Sequence, residues 1–325
     1  MNAVVLWALI ATAAGQQPTV VIIVGAPGTP EYEGPFRRWA ERWQEAAVRG
    51  GARCVTIGLE LAEGTSARDQ LAELLDNEPA EADAPLWLVL IGHGTFDGRT
   101  ARFNLQGPDL SAALLARWLE RFRRTVVVIN CASSSAPFIN RLSGPERIIF
   151  TATKSGYQSN YARFGDYLSA AIGDPAADLD KDQQTSLLEA FLLASRRTAE
   201  FYETQGRLAT ETALVDDNGD GRGTPAAAFE RTLPKTPADA AEPDGQRASQ
   251  LCLIPSRAEA HMPAPVRRRR DQLEQAIAAL RRSKDQIGDP DRYYAQLEPL
   301  LVELARLYEG LHPESDDSPQ SDAHD

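Results

Sequence analysis

The stretch LVLIGHGTFDG, residues 88–98, stays apolar as far as Ile91 and then sets His93 between Gly92 and Gly94. A second apolar run, TVVVIN over 125–130, leads straight into Cys131. A thiol and an imidazole are the ingredients of a nucleophile with its acid–base partner. Gly94 would let the backbone approach a substrate, and its N–H can help to hold an oxyanion. The other histidines, His261, His312 and His324, all lie beyond residue 260. Cys54, inside RCVTIG, reads as a core thiol, and Cys252 has no assigned role. Three cysteines make no disulfide framework.

For His93 and Cys131 to meet, their strands must end on one edge of one sheet. The chain alternates in the required way. TVVIIV (19–24), RCVTIG (53–58), PLWLVLIG (85–92), TVVVIN and RIIFTA (147–152) read as strands. Between them, FRRWAERWQEAAVRG carries Phe36, Trp39, Trp43 and Ala47 at helical spacing. SARDQLAELL and DLSAALLARWLERF are helical too, the latter with Asp109 as its expected N-cap. Continuous apolar strands between amphipathic helices predict an α/β fold with a mostly parallel sheet covered on both faces. In such folds function gathers at the C-terminal ends of the strands.

LVLIGHGTFDG, then VVVINCASSSAPF, then IIFTATKSGYQSNYARFGDYLSAAI together resemble the caspase-fold cysteine peptidases of the legumain, caspase and gingipain group. The likeness is closest to the legumain-type branch and covers roughly residues 19–232, its specificity coming from motif order and strand context. It implies a caspase-like three-layer α/β/α sandwich acting on a polypeptide substrate with no cofactor required. Cys131 would be the nucleophile and His93 the acid that protonates the leaving amine, with the backbone N–H groups of Gly94 and Cys131 forming the oxyanion site. Legumains carry an acidic residue and then Gly-Ser soon after the cysteine, whereas here Ala132 and Ser133 to Ser135 follow. A second reading keeps the fold and drops the chemistry: an inactive binding or scaffold module. The loop GAPGTPEYEG (25–34) has neither GxGxxG spacing nor a Walker lysine, and reads as an active-site loop. The serines lack the G-x-S-x-G elbow of a serine hydrolase.

DLDKDQQTSLLE (178–189) spaces its oxygens as a calcium loop does. Asp178, Asp180 and Asp182 would bind through carboxylates, Gln184 through its carbonyl, and Ser186 and Glu189 would complete the set. Gln183 stands where a turn-forming glycine is usual, and an acidic helix cap explains several of the same residues. A second acidic loop, DDNGDGRG (216–223), has its glycine in place but lacks the closing glutamate.

Residues 1–15 read as a signal peptide, which predicts export to the periplasm or beyond. Their apolar run from Ala3 to Ala14 is too short to span a bilayer, and no basic residue precedes it. Residues 16–232 form the peptidase-like domain, 233–262 a linker rich in Pro, Ala, Asp and Glu, and 263–312 a helical hairpin broken at Gly288-Asp289-Pro290. The acidic tail 313–325 is expected to be disordered. The hairpin's narrow apolar stripes must pack on the α/β domain, on a second copy or on a protein partner. Arg267 to Arg270 open its first helix, where the dipole disfavours cations, so the stretch is either frayed or paired with acids. A net charge of −12 and no other membrane-length apolar segment exclude a general nucleic-acid binder and an integral membrane segment after the leader.

Overall fold

The computed structural model describes residues 17–60, 64–235 and 243–309. The expected leader 1–15 and tail 313–325 lie outside the described residues. Two compact units divide the described residues: one runs through residue 235 and resumes over 243–256, and the other holds 257–309.

In the first unit, strands β1 (Thr19–Val24), β2 (Arg53–Ile57), β3 (Leu86–Ile91), β4 (Val126–Asn130), β5 (Arg147–Thr151), β6 (Leu214–Asp216) and β7 (Thr224–Pro225) make one sheet. Its order is β7-β6-β5-β4-β3-β1-β2, parallel from β2 through β5 and antiparallel at β6 and β7. Helices α1 (Pro30–Arg49), α2 (Ala67–Asn77), α3 (Ala112–Leu119), α4 (Phe164–Ala171) and α5 (Leu187–Thr204) cover it.

Which helix meets which face follows from the strand period of two. Val20, Ile22, Trp87, Val89, Ile91, Val127 and Ile129 join one core with Phe36, Trp39 and Trp43 of α1, Phe164 and Leu168 of α4, and Phe191 of α5. Their alternates Val21, Ile23, Leu86, Leu88, Leu90, Val126 and Val128 join the other with Leu71 and Leu75 of α2 and Leu115 and Leu119 of α3. The fold is therefore α/β with a mostly parallel central sheet between two helical layers. Helix α3 is capped by Ser111, whose hydroxyl accepts from Leu114 N–H at 3.2 Å. The expected cap, Asp109, instead accepts from Leu105 N–H at 3.2 Å.

The stretch expected to be a linker is largely structured. Leu233–Pro234 pairs with Phe229–Glu230, and residues 243–256 belong to the α/β unit. Ala248 and Leu253 are buried in the first core, and Leu187 N–H donates to the Leu251 carbonyl at 2.8 Å. The Pro- and acid-rich composition concealed these few apolar anchors.

The second unit holds α6 (Ala264–Arg282) and α7 (Pro290–Glu309), joined through a short helix at Lys284–Ile287 and a left-handed Gly288 at φ +66°. Ile277, Tyr293 and Leu297 form its core with Leu280, Leu300 and Leu304. The basic opening of α6 is paired: Arg267 and Arg270 bridge Glu259, and Arg269 bridges Glu303 at 2.6 Å. No helix among the described residues is long and apolar enough to cross a membrane.

Candidate active site

Strands β3 and β4 are parallel neighbours with Leu90 opposite Asn130, so both chains leave the sheet at the same edge. The period of two also assigns a face. Trp87, Val89 and Ile91 point to the α1/α4/α5 layer, as do Val127, Ile129 and Cys131. His93 continues the β3 alternation, and its ring lies among residues of that layer. Tyr32 meets it edge-on at 4.7 Å between centroids, Phe36 at 5.2 Å and Tyr161 at 6.0 Å. The Cys131 side chain lies against Trp39 and the start of α4, so close that a Cβ on Gly165 would fall 2.7 Å from both the Cys131 Cβ and the Trp39 ring. Trp39 in turn contacts Phe36 and Tyr161. One aromatic cluster thus flanks both expected catalytic side chains.

The hydrogen bonds define a closed arrangement. His93 Nε2 lies 3.1 Å from the Pro27 carbonyl, which can only accept, so this nitrogen carries the proton and Nδ1 is left as the basic one. Burial holds the imidazole below its ordinary range, with the Pro27 carbonyl opposing. Pro27 belongs to GAPGTPEYEG, which therefore reaches the histidine, and a cavity of about 210 Å³ opens beside it between Glu33, Arg37 and Gln106. Cys131 is 1% exposed, and burial, with the charge of Glu211 added, pushes its thiol up to about 12. No hydrogen bond joins the His93 ring to the thiol.

Both N–H groups expected to receive an oxyanion already have acceptors. Cys131 N–H donates to the Leu90 carbonyl at 2.9 Å, extending the β3–β4 ladder. Gly94 N–H donates to Ser133 Oγ at 3.2 Å, and the same hydroxyl donates to the Gly94 carbonyl at 3.0 Å. Ser134, next in line, sits at φ +54°, a left-handed backbone that favours glycine, and its buried hydroxyl has no partner. None of the three cysteines is in a disulfide, and Cys54 is half-buried with its thiol raised by burial.

Glu211 was not foreseen. It is 4% exposed, accepts N–H bonds from Arg163 and Phe164 at the start of α4, and accepts the Tyr202 hydroxyl at 2.9 Å. Burial raises its carboxyl despite these donors. Its only signal was a lone acid in LATETALV ahead of an apolar strand.

Of the expected calcium ligands, Asp178, Asp180 and Asp182 converge, their carboxylate oxygens lying within 4.8 Å of one another. Gln183 accepts the left-handed turn at φ +71° although it is not glycine, and its N–H donates to Asp178 Oδ2 at 3.2 Å. Burial and the neighbouring Glu189 and Asp182 push Asp180 up to about 6. The side chain of Gln184 turns to Asp182 and to the Ser256 N–H. Ser186 and Glu189 form the capping box of α5, and Glu189 Oε1 also accepts from Leu179 N–H at 2.7 Å. The acidic trio therefore comes together, while Ser186 and Glu189 are committed to the helix end. Compared with protein-family models and with curated protein sequences, the chain matches none.

Proposed function

We propose that the chain is a cysteine endopeptidase of caspase-like fold, held here in a resting arrangement. The observation that supports it most is the convergence of His93 and Cys131 on one face at the ends of adjacent parallel strands. In the proposed reaction Cys131 Sγ attacks the scissile carbonyl carbon, and the thiol proton passes to His93 Nδ1. The protonated imidazole gives that proton to the leaving amine as the C–N bond breaks. Water then hydrolyses the thioester, restoring the thiol and releasing the acid. For this, Ser133 must release the Gly94 N–H and the thiol must become accessible.

A second reading, the inactive binding module, is favoured by one observation: a thiol 1% exposed and pushed up to about 12 carries almost no thiolate near neutrality. A peptide-library digest separates the two. The peptidase reading expects cleavage by the wild type, and loss of at least 100-fold in Cys131→Ala and His93→Ala with unchanged circular dichroism. Cleavage that survives either substitution would remove the dyad, and no cleavage by the wild type would favour the binding module. For calcium, the loop 178–189 is proposed as a structural site through Asp178, Asp180 and Asp182.

A further inference from the structure

We propose that a hard divalent cation of the calcium class also binds in the β6–β7 hairpin loop, anchored by Asp216. This proposal is independent of the peptidase reading and of the loop at 178–189. The observation behind it is an orphaned oxygen. Asp216 is 1% exposed, its Oδ1 accepts from Gly219 N–H inside the loop at 3.2 Å, and its Oδ2 is buried with no hydrogen-bond partner. A buried carboxylate oxygen without a donor is unfavourable, and a cation would satisfy it.

The same loop carries further oxygen donors. Asn218 and Asp220 follow at alternate positions, their side-chain oxygens turned back to accept from Asp220 and Arg222 N–H at 2.8 Å each. Gly221, at the sixth position, takes the left-handed turn at φ +75°. The loop is held from outside, where Asn140 Nδ2 donates to the Gly221 carbonyl and Gly221 N–H donates to Ser143 Oγ, both at 2.9 Å.

Asp244 supplies acidity that the local spacing lacks. It is 4% exposed and accepts from Asp217 and Asn218 N–H through Oδ1 and from Thr224 Oγ1 through Oδ2. It therefore closes the base of the loop. With no glutamate at the twelfth position, affinity should be modest, with a dissociation constant on the order of 10⁻⁴–10⁻³ M.

The experiment is calcium titration calorimetry on the full chain, in a background of Asp180→Asn with Asp182→Asn that disables the other loop. One calcium should still bind, and Asp216→Asn should weaken it by about tenfold or more. Asp220→Asn, an exposed change that leaves the core untouched, should do the same if Asp216→Asn fails to fold. A background protein that binds no calcium would overturn the proposal, because Asp216 would then be a buried neutral acid facing Ser143. Undiminished binding in the Asp216 or Asp220 variant would overturn it as well.

Discussion

Glu211 shows how a single carboxylate can bind structure to chemistry. It caps the start of α4 and places its charge toward the thiol of Cys131. Its carboxyl is raised above the ordinary range, so the stability it contributes is present below its unfolded pKa, near 4.5, and is lost as pH rises through the folded value. Glu211→Gln removes both effects. Urea midpoints should show the wild type losing stability relative to the variant as pH increases from 4. At pH 8 the variant should also alkylate faster at Cys131, because the negative charge that disfavours a thiolate is gone. Equal alkylation rates would mean that burial alone controls the thiol.

Among elements, the opposite edge of the sheet shows what holds the strands in register. Glu78, after α2, is 4% exposed and accepts from Thr19 Oγ1 at the start of β1 at 2.7 Å. Its carboxylate also meets Arg53 at the start of β2 and the buried Arg124 just before β4. Arg124 donates to the Ala84 carbonyl at 2.7 Å as well, next to β3. One acid therefore ties together the beginnings of several strands, far from the candidate active site. Glu78→Ala leaves Arg124 buried without its counter-charge and should cost about 3–5 kcal/mol in chemical denaturation. Peptide cleavage measured well below the melting temperature should change little.

At the scale of the whole molecule, strands β1 to β5 and the mostly parallel sheet were legible, because apolar runs are local properties, whereas the strand order and the antiparallel β6 and β7 were not. The rule that function gathers at the C-terminal ends of parallel strands put His93 and Cys131 on one edge before any contact was known. The unforeseen parts are contacts between segments distant in sequence: Pro27 on His93, Ser133 on Gly94, and Glu211 beneath α4. The extent of the α/β unit was misjudged for the same reason, since Asp244, Ala248 and Leu253 are isolated anchors in a polar stretch. Truncation tests that boundary. A chain ending at Ser256 should melt cooperatively, whereas one ending at Arg231 exposes core surface and should be insoluble or lose several degrees in Tm.

The two margins of the sheet have different capacities for growth. Strand β7 is only two residues long, and Pro225, opposite Leu214, has no N–H to offer a further strand. That side of the sheet is closed to continuation into a neighbouring molecule. Strand β2, at the other margin, has five residues and no proline, so β-augmentation by another chain would have to begin there.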